Sequence, residues 1–234
     1  RRKTAPLTLF NHADVAQSGV VELTLGRDLP FLEGLALPDG TPLAWQAVGH
    51  QRYWVEVRDV PPGAVIPLTA AFGPIPDYTL KAPEALTPLP DTLAADGLCC
   101  ILDPDSGRIV KLTSTDGSIV YSRQSLFDVQ LQLPEEYTLN WEAAGMRPLR
   151  RSHFPEPEIL RCGLRHQGAV GWSIEQRGCF PGRLNYRLIV SGYRHFPFFD
   201  VACFLDKEAR RELESIYLTT RLEGKATQWR IGQH

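Results

Sequence analysis

The chain has 234 residues, with 25 Lys and Arg against 27 Asp and Glu, a formal net charge of −2, 43% hydrophobic and 22% charged side chains. That length suits one large domain or two modest ones, each able to bury its own core, and the composition is that of an ordinary globular chain. A nucleic-acid partner would call for a basic excess, and the clusters Arg1-Arg2-Lys3, Arg150-Arg151 and Arg210-Arg211 are too short to supply one. No run approaches the ~20 apolar residues of a bilayer span, so neither nucleic acid nor membrane is expected as a partner.

The chain reads as two β-rich blocks joined by a proline-rich connection. In the first, Leu7–Phe10, Gly19–Leu25, a run following the Asp39-Gly40 turn through Trp45, Gln51–Val57 and Ala64–Phe72 are extended, with Pro61-Pro62-Gly63 forcing a turn. QRYWVEV alternates, placing Tyr53, Val55 and Val57 on one face and Trp54 and Glu56 on the other. Residues 1–72 are therefore expected to form a small β-sandwich. Residues 73–95 hold prolines at 74, 76, 83, 88 and 90. Proline lacks a backbone donor and fixes φ, so an extended linker is expected there.

Residues 96–234 are expected to form a larger antiparallel β-sandwich. In GLCCILDPDSGRIVKL, Leu98–Leu102 is a strand, Asp103–Gly107 a tight turn and Arg108–Leu112 the return strand. The turn at Thr115–Ser118 leads into Ile119–Tyr121. Further extended runs cover 159–165, 168–177, 183–193, 198–205 and 214–220. A short helix is expected only at Lys207–Leu213, and 124–157 reads as a long irregular excursion.

The five cysteines are odd in number and show no CxxC spacing, and the six histidines show no HxH or HxxxH pair. Free thiols in a reducing, cytoplasmic setting are expected, without a metal site in this segment. The start RRKTAPLTLFNHADV lacks Met and has too short an apolar stretch for a signal peptide, and it reads as the interior of a longer polypeptide. The contiguous phosphate-loop, GxSxG and HExxH motifs are absent from the sequence. Aromatic rings and planar polar groups are what sugar recognition uses. Trp172 and Tyr193 lie in strands and read as core. Trp141 in the excursion, Arg161 and Arg165 on one strand face, and His195 in the aromatic strip YRHFPFF are the candidate carbohydrate contacts. No catalytic residue is assigned.

Four phrases in order then resemble one family. LTLFNHADVAQSGVVELTL, then Asp39-Gly40 with Pro42, Gln46 and Val60-Pro61-Pro62-Gly63, then GLCCILDPDSGRIVKL, and finally FLDKEARRELESIYLTT resemble the β-region of glycoside hydrolase family 38 α-mannosidases. Asn11 is followed by His12 rather than the usual Pro, and Leu213 stands where a Pro is common. The resemblance implies an all-β fold, a small β-sandwich followed by a galactose-mutarotase-like supersandwich cut short at its C-terminus. It implies a retaining parent enzyme whose nucleophile and zinc lie in a catalytic barrel preceding Arg1. The expected role is a non-catalytic, carbohydrate-associated module packing on that barrel, with a mannoside-like carbohydrate and the barrel as partners. The alternatives are a stand-alone carbohydrate-binding module and a mutarotase-like epimerase. The epimerase would need His153, His166 or His195 beside Glu175 or Glu208.

Overall fold

Alternation of apolar and polar residues with a period of two builds this molecule, because successive side chains of an extended chain point to opposite faces. The computed structural model describes residues 3–26, 31–73, 86–122, 125–134, 152–207 and 214–220. Within them all regular structure is β. The first six strands are β1 (Lys3–Phe10), β2 (Gln17–Thr24), β3 (Leu32–Ala36), β4 (Trp45–Gly49), β5 (Arg52–Val60) and β6 (Val65–Phe72). They form two antiparallel three-stranded sheets, β1-β6-β3 and β2-β5-β4, facing each other across a core that includes Leu32, Leu35, Tyr53, Val55, Leu68 and Phe72. The expected alternation in β5 holds: Tyr53, Val55 and Val57 enter this core, and Trp54 packs in a different cluster on the opposite face. The Tyr53 hydroxyl accepts from Leu32 N–H (3.1 Å) and donates to Gln51 Oε1 (3.2 Å), so the buried ring's polar end is satisfied.

The run expected to end at Trp45 instead begins there. Between β3 and β4 the chain turns, with Leu37 N–H on Thr41 O, Gly40 N–H on Leu37 O and Thr41 N–H on Asp39 Oδ1. Gly40 holds φ 85°, which only glycine adopts without strain, and Pro42 has no N–H to give a ladder. Strand β3 itself was not anticipated from LEGLA.

The remaining strands are β7 (Thr92–Ala95), β8 (Leu98–Leu102), β9 (Ile109–Ser114), β10 (Ile119–Ser122), β11 (Phe127–Pro134), β12 (Ser152–His153), β13 (Glu158–Gln167), β14 (Gly171–Phe180), β15 (Leu184–Tyr193), β16 (Phe196–Lys207) and β17 (Ser215–Thr220). They pair antiparallel as β10-β9-β8-β7, β12-β11-β17 and β13-β14-β15-β16. One core unites the three sheets, with Cys100, Leu112, Leu131, Trp172, Phe180 and Leu188 among its buried members. Trp172 and Tyr193 are buried, as expected, and Trp172 Nε1 donates to Ala94 O at 2.7 Å. All five cysteines are unpaired. Burial pushes the Cys100 thiol up to about 12, with the neighbouring Cys99 adding to the shift.

Several expectations are corrected here. The end of the proline-rich stretch is not linker: after Pro90 the amide donors return, and β7 pairs with β8 from Thr92↔Ile101 to Ala95↔Leu98. The excursion 124–157 is not uniformly irregular, since β11 buries Val129, Leu131 and Leu133 on one face and pairs with β17, from Phe127↔Thr220 to Gln132↔Ser215. The run 168–177 opens with a turn, and β14 starts only at Gly171. Lys207 ends β16 rather than opening a helix, and the rest of that expected helix, 208–213, lies outside the described residues.

Candidate functional site

Two hairpin ends of the β13-β14-β15-β16 sheet, the 168–170 turn and the 194–195 turn, meet the outer face of β2-β5-β4. Trp54 and Val48 from the first body pack there with Val170, Tyr193 and Phe196 from the second, with Val20 alongside. Trp54 and Tyr193 meet edge to face, centroids 5.4 Å apart, a geometry that favours aromatic pairs beyond their burial. Gln46 lies opposite Trp54 in the β4–β5 register and so shares its face. Its Oε1 accepts from both Val170 N–H and Gly171 N–H, each at 2.9 Å. Two buried donors at a tight turn are thereby satisfied by the other body, where leaving either unmet would cost about 1–3 kcal/mol.

At the rim of this seam lies a cross-body ion pair. His195 Nδ1 donates to Glu56 Oε2 at 2.8 Å, with the Glu56 side chain 7% exposed and His195 50%. Arg58 Nε donates to Glu56 Oε1 at 2.7 Å, and its guanidinium lies 5.9 Å from the Phe196 ring centroid. Burial works to raise the Glu56 carboxyl, but the bonds from His195 and Arg58 outweigh it and hold the group below its ordinary value. The carboxylate is thus ionised and matched on both oxygens. Chemically this is a lock: the His195 nitrogen facing Glu56 is occupied, and the carboxylate is held by two donors. A cleft of about 370 Å³ in the first sandwich is lined by Leu9, Leu37, Leu43, Val57 and Ile66, and Glu56 and Arg58 also border it.

The candidate residues from sequence are not brought to one place. His195 belongs to the seam. Arg161 and Arg165 lie on the outer face of β13, as alternation predicted, where Arg165 Nη1 binds Glu175 Oε2 at 2.7 Å. Trp141 lies outside the described residues, as does Glu208. Sequence reasoning missed Gln46 and Glu56 as the bridging groups. Their signal was the shared outward face with Trp54, a large aromatic too apolar to be left to water. It also missed Arg177 and Arg187, which follow Arg161 across the sheet in the register Arg161↔Arg177↔Arg187. Among the described residues no group of three or more His, Cys, Asp or Glu side chains could hold a metal ion, and no helix is long and apolar enough to cross a membrane.

The chain matches no family model, no curated protein and no solved structure. This corrects the labels that the sequence phrases suggested for the chain. Glycoside hydrolase, α-mannosidase and carbohydrate binding find no match to rest on, and a cytoplasmic location has no support beyond the cysteine usage. What stands is an all-β molecule of several small antiparallel sheets in a sandwich-like arrangement.

Proposed function

We propose that this chain is a non-catalytic β-module of a larger polypeptide, in which two β bodies are locked into one block that packs on a catalytic domain and shapes it. The observation that carries this reading is the seam. An apolar cluster of Trp54, Tyr193, Val170 and Phe196 is closed by Gln46 on one side and by Glu56, Arg58 and His195 on the other. The seam's polar groups are engaged with one another, which suits a rigid support and leaves the Glu56–His195 pair a structural task. The second body is read here as a galactose-mutarotase-like supersandwich.

The test separates module from enzyme. The chain is incubated with an aryl α-mannoside and zinc, beside the product of the same gene extended upstream of Arg1. No turnover by the chain and turnover by the extended product is the expected result. Turnover by the chain alone removes the non-catalytic reading, and an upstream region encoding no catalytic domain removes the parent.

A further inference from the structure

The outer face of β13-β14-β15-β16 carries more arginine than the carboxylates among the described residues pair with. Directly opposed residues on antiparallel strands point to the same side, so the register Arg161↔Arg177↔Arg187↔Phe204 is a row of three guanidiniums ending in an aromatic ring. Adjacent strands lie about 4.8 Å apart, so the three arginines span only about 10 Å of sheet. Like charges placed directly opposite destabilise a sheet. The next row supplies one carboxylate, Glu175, whose side chain is 2% exposed and whose two oxygens are taken by Arg165 and Arg177. Arg161 and Arg187 have no carboxylate partner among the described residues. Arg187 instead sits over Phe204, 4.2 Å from the ring centroid, which fixes the plane of its guanidinium. Phe204 is 49% exposed. An open groove of about 230 Å³ runs along this row between Arg177, Asn185, Arg187, Phe204 and Asp206.

We propose that this face docks a carboxylate-bearing surface of a partner protein, held by the row Arg161–Arg177–Arg187 with Phe204 as its apolar anchor. Three features select that occupant. The paired positions of the face use arginine and no lysine, and the planar fork of arginine matches carboxylates two bonds at a time. Arginine and aromatic side chains are the residues enriched where protein partners bind. Glu158 and Asp206 stand at the two ends of the neighbouring row, Glu158↔Cys179↔Asn185↔Asp206, and so confine the positive field to a narrow strip. An extended polyanion such as a nucleic acid would run into those carboxylates. Two acidic side chains on alternate residues of a partner strand, about 7 Å apart, fall within it. The inference holds whatever chemistry the parent polypeptide performs.

The experiment is fluorescence anisotropy with a labelled hexaglutamate peptide titrated by the full chain at low ionic strength. Saturable binding is expected, weakened roughly tenfold or more in the R161Q/R187Q double variant and a few-fold in Phe204→Leu, and strongly reduced by salt. All three substituted side chains lie on the outer face of the sheet, and an unchanged near-ultraviolet circular dichroism spectrum confirms the fold. Absence of saturable binding overturns the proposal, as does equal binding by the double variant. An oligothymidylate of the same charge binding as tightly as the peptide also overturns it, because the face is then a general polyanion surface.

Discussion

The seam and the outer arginine face treat charge in opposite ways. At the seam one carboxylate, Glu56, meets two donors, His195 and Arg58, and the buried turn amides of Val170 and Gly171 are answered by Gln46. On the outer face of β13-β14-β15-β16 one carboxylate, Glu175, serves Arg165 and Arg177, while Arg161 and Arg187 have none among the described residues. The first surface is complete within the chain, and its polar groups are closed around an apolar cluster. The second is organised, with a shared register and a stacked ring, yet electrostatically open. An interface already made and an interface awaiting its other half differ in this way, since satisfied polar groups stabilise and like charges in a row do not.

Breaking the seam should have the largest effect. Trp54→Ala removes the aromatic that both bodies share, and a loss of about 3–5 kcal/mol in denaturant unfolding is expected. A loss under about 1 kcal/mol would mean that the seam does not join the bodies. Glu175→Ala is next. It strips the outer face of its buried carboxylate and leaves Arg165 and Arg177 facing each other, with an expected cost of about 3 kcal/mol, read in the same unfolding assay. Gln46→Ala leaves the Val170 and Gly171 donors unmet and should cost about 2 kcal/mol.

A pH-dependent effect, absent near neutral pH, belongs to His166, whose ring centroid lies 6.3 Å from that of Trp54. Burial first, then the Arg165 and Arg52 guanidiniums, lower it from 6.5 to about 4. Between those values the unfolded chain takes up a proton that the folded chain refuses. Stability therefore falls as pH drops from about 6.5 to about 4 and levels off below. His166→Asn should flatten unfolding stability across that window, and an unchanged pH profile would count against the half-buried neutral ring. Arg161→Gln should be the mildest, changing stability by no more than about 0.5 kcal/mol, or raising it slightly by relieving repulsion from Arg177. A large loss there would place Arg161 in the fold rather than at a docking surface.

How far these features were legible follows from the range of the forces. The hairpin Leu98–Ser114 could be read directly, because Pro104 and Gly107 set its turn within five residues and Gly107 does hold φ 70°. The β5 alternation could be read for the same reason. Strand β11 could not: FDVQLQL carries the period-two pattern, but its partner β17 lies some ninety residues away, and local context reads the segment as part of an excursion. Of the candidate contacts, the shared face of Arg161 and Arg165 followed from alternation alone. Nothing in the neighbourhood of His195 disclosed Glu56, which is 139 residues distant along the chain.

The amino-acid order by itself determined that this protein is built from strands, where most of them turn, and which side chains of each strand share a face, because those choices rest on backbone sterics and on a repeat of two residues. Only the tertiary structure decided which strands are neighbours. Register is fixed by long-range burial, and it is register that sets His195 against Glu56 and draws Arg161, Arg177 and Arg187 into one line.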